Sequence, residues 1–238
     1  VIPPILTPRL ALASLSPQFL RASLSGQPDA AAALLGAELP TDWPKGHEPL
    51  LQRRLTQLEA DPTAQPWLLR GIVLRDPTGP APQDLPAGKR LPSGECGPAL
   101  AMVSPHAPRD PPEGKSPPSG EGGPALPKVR PLVGLIGFHD PPDATGMLEV
   151  GYRIEAPYRR HGYATEAVRA LFAWATRTEG IERFKASISP TNEASLRLIS
   201  KLGFQQTGHQ WDELDGLELV FERHRQTPRP YTSDEDTA

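Results

Sequence analysis

The chain has 238 residues, and its 31 prolines and 21 glycines make up more than a fifth of it, well above the roughly 12% usual for globular proteins. The 25 basic and 28 acidic side chains leave a net charge of −3. That excludes the broad positive field that nucleic acid or an anionic membrane would need, so any anion site must be local.

Most of the proline and glycine surplus lies in residues 76–130, which contain no Phe, Trp or Tyr and cannot build a core. We expect a disordered insertion there and a disordered acidic tail over residues 225–238. Residues 1–75 and 131–224 then form one α/β domain, its amino-terminal part and its main core. No apolar run approaches the roughly 20 residues of a bilayer-spanning helix, and no basic-then-apolar leader opens the chain, so a cytoplasmic protein is expected. Cys96 sits in the insertion, which leaves no internal disulfide or multi-cysteine metal site. The first residue is Val1 instead of Met, as expected of a processed, truncated or differently initiated product.

In chain order, residues 7–15 read as a strand, and Ser16-Pro17 reads as a helix cap followed by proline in the first turn. Helical pieces follow over residues 29–39 and around Leu50, Leu51, Leu55 and Leu58. Residues 67–75 form a strand that pairs with residues 132–138, making the insertion a lengthened hairpin loop. Residues 147–154 are a strand, 162–178 a helix with Ala164, Val168, Leu171, Phe172 and Ala175 on one face, 184–189 a strand and 192–202 a short helix. Residues 204–211 and 217–221 close the chain as a hairpin around Asp215-Gly216. The order β, α, α, β, β, β, α, β, α, β, β, antiparallel first with a βαβ crossover second, predicts a mixed sheet flanked by helices.

The sharpest local feature is Arg159-Arg160-His161-Gly162-Tyr163-Ala164-Thr165, between a strand and an amphipathic helix. Unpaired amides of a first helical turn, the helix dipole and two arginines together favour an anion such as phosphate. The same pattern also occurs as a plain surface turn. Gly114-Lys115-Ser116 imitates the end of a nucleotide-binding loop, but Arg109 stands where its first glycine belongs. The six histidines show no metal-ligand spacing, so no metal is expected.

Arg159, Gly162 and Ala164 match the Gln/Arg-x-x-Gly-x-Gly/Ala signature of the GNAT superfamily of acyl-CoA-dependent N-acyltransferases. Thr7-Pro8-Arg9-Leu10, Glu149-Val150-Gly151-Tyr152, Asn192 with Ser195, and Lys201 with Gly203-Phe204 resemble its Rim-type branch, the ribosomal-protein N-terminal acetyltransferases. The resemblance implies a GNAT fold, a mostly antiparallel sheet splayed between the parallel strands at 147–154 and 184–189. Acetyl-CoA would lie in that opening as the acyl donor. Its diphosphate would meet Arg159, Arg160, His161, Gly162, Tyr163, Ala164 and Thr165, and its pantetheine arm would pair with backbone near Val150 and Tyr152. Asn192 would bond that arm, or serve only as a helix cap.

The implied activity is acetyl transfer to a primary amine, a protein N-terminus or a small molecule, by direct attack in a ternary complex. A non-catalytic acyl-CoA-binding or sensing module is the alternative. Glu149 is the expected base, its bland counterpart being a strand carboxylate paired with Arg153 or another cation. Many relatives carry a thiolate-protonating Tyr where this chain has Ile199, so Ser195 is the expected acid, with Tyr152 a weaker candidate. His139 and His209 are weighed as acceptor-side residues or as structural ones. Trp43, Trp67 and Trp211 are expected to pack, and Arg53 and Arg54 to form a solvated face. The protein is expected to be a monomer or homodimer.

Overall fold

The amino-terminal strand expected over residues 7–15 is shorter, Leu10–Ser14, and a further two-residue strand precedes Pro8, which lacks an amide for a ladder. In the computed structural model, β1 (Ile5–Leu6) and β2 (Leu10–Ser14) are antiparallel, and the Thr7 amide closes the turn on the Leu10 carbonyl at 2.9 Å. The structure describes residues 2–75, 130–213 and 216–224, all in one compact unit. The expectations for Cys96, Gly114-Lys115-Ser116, Asp215 and residues 225–238, and for all but the last residue of the 76–130 stretch, lie outside the described residues.

Ser16 caps α1 (Pro17–Leu24), its hydroxyl accepting from the Phe19 amide at 3.2 Å. The next helix, α2 (Pro28–Leu35), stops short of the expected Leu39 because Gly36 turns left-handed at φ 67°. With α3 (Glu48–Ala60) there are three helices before β3 (Arg70–Leu74), one more than the expected order held. The expected pairing of β3 with β4 (Leu132–Phe138) is present, with a register shift that moves Ile72 opposite Gly134 and Val73 opposite Leu132. Then come β5 (Met147–Ile154), α4 (Tyr163–Glu179), β6 (Arg183–Ile188), α5 (Glu193–Lys201), β7 (Gln205–Asp212) and β8 (Gly216–His224).

These strands form one sheet in the order β1-β2-β3-β4-β5-β6-β8-β7. The β5–β6 pair is parallel and every other neighbouring pair of described strands is antiparallel. Alternation sends Ile72 to one face and Val73 to the other, and each face has its own core. On the first, Leu10, Leu12, Phe138, Leu148 and Val150 pack against Val168, Leu171 and Phe172 of α4. On the second, Val73, Leu132 and Leu135 pack against Phe19 of α1 and Leu51, Leu55 and Leu58 of α3.

Two expectations about surfaces are overturned. Trp43 is buried and Trp67 packs tilted against Phe138 and edge-on against Trp174, but Trp211, opposite Leu217 in the β7–β8 ribbon, is 77% exposed. Arg54 is buried instead of solvated. It lies on the same side of α3 as Leu51, Leu55 and Leu58, and its Nη1 donates to the His139 carbonyl and, at 2.6 Å, to Gln57. Among the described residues, no helix is long and apolar enough to cross a membrane.

Candidate active site

The parallel pairing of β5 and β6 is short: Met147, Leu148 and Glu149 face Arg183, Phe184 and Lys185, and there it ends. Further along, β5 pairs only with β4, from Val150 opposite Phe138 to Ile154 opposite Gly134, while β6 pairs only with β8. The two strands therefore diverge beyond Glu149, and the edge of β5 from Val150 onward offers unpaired backbone groups to whatever enters.

A cavity of about 900 Å³ opens at this splay. It is lined by the Arg159-Arg160 turn, by Gly162 to Thr165, by Tyr152, and by Asn192 and Ser195. Arg159, Arg160, Arg197 and Lys201 also border it, and among the described residues no aspartate or glutamate does. Arg160 adopts φ 66° and Gly162 φ 81°, a pair of left-handed residues that bends the chain into a concave run of amides. No side chain caps α4, and its first internal bond runs from the Glu166 amide to the Gly162 carbonyl at 3.1 Å, so earlier amides lack helical partners. Arg159 is anchored by its Nε on the Ile154 carbonyl at 3.1 Å, and the His161 ring stacks on Tyr163.

At the inner end of the cavity, the Tyr152 hydroxyl is buried without a well-formed hydrogen bond. Burial raises its pKa above 10, an effect opposed by the neighbouring Ser195 hydroxyl, so the phenol stays protonated at neutral pH. Asn192 caps α5, its Oδ1 accepting from the Ser195 amide at 3.1 Å, and lines the cavity as well. Ile199 is fully buried in the core and does not line the cavity.

Glu149 points to the other face of the sheet, at the apex of the splay. It is not paired with Arg153, whose guanidinium donates to the Gly46 carbonyl at 3.3 Å. Instead Ser187 donates to Glu149 Oε1 at 2.5 Å, Lys185 Nζ lies 3.1 Å from Oε2, and His139 Nδ1 is 3.8 Å from Oε1. Gln210 extends the network, donating to Ser187 at 3.2 Å and to Glu218 at 3.0 Å while accepting from Lys185. Gly151 makes room for it: a Cβ there would sit 2.8 Å from His139 Nε2. Packing around the ring, helped by the Arg54 charge and opposed by Glu149, lowers the His139 pKa below 6.5.

Of the residues singled out from the sequence, Tyr152, Arg159, Arg160, Gly162 to Thr165, Asn192 and Ser195 line one cavity, whereas His161 does not line it and Val150 is buried in the core. Ser195 of α5 lines the cavity and Glu149 of β5 does not. Lys185, Ser187, Gln210 and Glu218 went unread. His209, weighed earlier, is exposed. Among the described residues, no group of three or more His, Cys, Asp or Glu is placed to hold a metal.

This mixed sheet, splayed at the parallel pair β5–β6 and flanked by helices, is a GNAT fold by its likeness to the solved structures below. Residues 124–205 match the family model described as acetyltransferase (GNAT) domain. The uncharacterized N-acetyltransferase YjdG of Bacillus subtilis (strain 168) is 38% identical over 73 residues, a match covering 31% of this chain and 44% of that protein. The chain therefore spans less than half the length of this curated relative. Among solved structures, a provisionally named GnaT-family acetyltransferase from Bordetella pertussis superposes with a TM-score of 0.53 at 17% identity, covering 93% of this chain and 99% of the other. A provisionally named ribosomal-protein-serine acetyltransferase from Vibrio cholerae gives 0.51 at 16% identity, covering 93% and 97%. At these identities the likeness to the solved structures is one of fold.

Proposed function

We propose that the protein transfers an acetyl group from acetyl-CoA to a primary amine by direct attack in a ternary complex, with residues 1–75 and 131–224 acting as one domain. The observation that carries this is the cationic cavity of about 900 Å³ at the strand splay, bordered by no carboxylate among the described residues. The residues present fit the donor: left-handed Arg160 and Gly162 shape amides for a diphosphate, Arg197 and Lys201 suit a further phosphate, and the unpaired β5 edge at Val150 and Tyr152 suits an amide-bearing arm. The unsatisfied Tyr152 hydroxyl supplies a buried donor where the thioester end would lie.

The donor supplies a thioester, whose carbonyl carbon bonds to the amine nitrogen as the carbon–sulfur bond breaks. Glu149 receives the proton lost by the amine, directly or through water, from its place at the apex of the splay. A backbone amide near Val150 or Gly151 stabilises the oxyanion. Ser195 passes a proton to the departing sulfur and takes one back from water, so that its hydroxyl is restored, beside the protonated Tyr152. The acceptor is a protein N-terminus or a small-molecule amine. The Rim-type motif set and the shared fold with a protein named for acting on a ribosomal protein support the former.

One observation favours a second reading, a non-catalytic acyl-CoA sensor: the position of the common phenolic acid is Ile199, deep in the core. Calorimetry with CoA and an acetyl-CoA consumption screen over peptides and small amines separate the two. We expect binding and turnover, with Glu149→Gln and Ser195→Ala each lowering kcat about 100-fold while CoA affinity stays within about threefold. Unchanged turnover in both variants would overturn the residue assignments. Binding with no amine consumed would favour the sensor, and no binding would discard both readings.

A further inference from the structure

We infer that Arg9, far away in sequence and near the opposite edge of the sheet, is a positioning residue for the anion-binding turn and acts through Glu166; this rests on the reading of the cavity as a CoA site. Glu166 lies in the first turn of α4, where its charge would compete with an incoming phosphate for the same amides and the same dipole. Its carboxylate is instead turned onto the β1–β2 connection. Oε1 accepts from Thr7 Oγ1 at 2.6 Å and from the Arg9 amide at 3.0 Å, while Oε2 accepts from Arg9 Nε at 2.7 Å and lies 2.7 Å from Nη2.

The remaining arm of the guanidinium reaches the turn itself. Arg9 Nη1 donates to the His161 carbonyl at 3.0 Å, between the two left-handed residues Arg160 and Gly162. The guanidinium also lies over the Tyr163 ring at 4.9 Å, and a Cβ on Gly162 would come within 3.4 Å of Nη2. One planar fork therefore does two things: it fixes the backbone that presents the amides, and it neutralises the one carboxylate of the first turn. The side chain of Arg9 is 48% exposed and that of Glu166 17%, so part of the ion pair's strength is screened, but its geometric role is not.

Calorimetry with CoA alone tests this without turnover, and steady-state kinetics with acetyl-CoA complements it. We expect Arg9→Ala to weaken CoA about tenfold and to raise KM for acetyl-CoA comparably, with kcat within about threefold. Adding Glu166→Gln to Arg9→Ala should recover about threefold in affinity, since the uncompensated charge beside the anion is gone. Arg9→Lys, which keeps the charge and loses the fork, should fall between wild type and Arg9→Ala, and serves in place of the alanine variant should that fail to fold. Wild-type affinity in Arg9→Ala or Arg9→Lys, or a double variant no tighter than the single, would overturn the proposal and reduce Arg9 to a structural strap. A wild-type protein giving no heat with CoA would overturn the underlying reading of the cavity itself.

Discussion

Glu149 turns its carboxylate toward Lys185 and Ser187 because the parallel register sets those side chains beside it on one face of the sheet. Three neighbours on the same strand differ for equally local reasons. Val150 fills the core, Gly151 admits the His139 ring, and Tyr152 turns its phenol to the cavity. His139 gives this scale its prediction. Its pKa in the folded protein lies below the ordinary 6.5, chiefly because protein packs around it, even though 43% of its side chain reaches solvent. As pH falls through about 6.5 the unfolded chain takes up this proton first, so stability is present above that pH and is lost as pH drops toward the folded value. Between about pH 7.5 and about 5.5, melting curves of His139→Gln should therefore shift less than those of the wild type. An equal shift in both would show that the histidine contributes nothing to acid sensitivity.

The helix α4 is held by aromatic contacts that span several elements. Phe172 lies 4.0 Å from Phe184, 5.9 Å from Phe204 and 6.4 Å from Phe138, between ring centroids, and Arg223 of β8 covers it at 5.2 Å. Phe172→Ala should cost about 3–5 kcal/mol, read as a lower urea midpoint with an unchanged slope. A loss below about 1 kcal/mol would mean the core collapses around the gap. At this scale much was legible beforehand: β4 and β5 end at the residues expected, because apolar runs bounded by proline and glycine leave few alternatives. The turn at Arg159 to Ala164 was legible because charge, glycine and a helix start coincide within a few residues. The network from Glu149 through Ser187 to Gln210 was not, because it depends on registers joining strands 38 and 23 residues apart. Arg54 was misread because two adjacent arginines look alike in sequence, and only packing against Leu51, Leu55 and Leu58 separates the buried one from the solvated one.

Over the whole molecule, the chain leaves β3 and returns at β4 almost where it left: the Leu74 amide donates to the Pro131 carbonyl at 3.0 Å. Closing a gap of any length between such points costs only logarithmically in chain entropy. Replacing residues 78–128 with a short glycine-containing turn should leave far-UV circular dichroism unchanged and the melting temperature equal or higher. Loss of cooperative melting would show that the replaced residues contribute to the fold. The other end of the sheet obeys a different logic. The last described strand, β8, is not an edge but is inserted between β6 and β7, completing the ladder on the outer side of β6. During synthesis β6 thus lacks its antiparallel neighbour until residues 216–224 have cleared the ribosome, and a chain ending before Gly216 would leave the whole outer edge of β6, from Arg183 to Ile188, without that ladder.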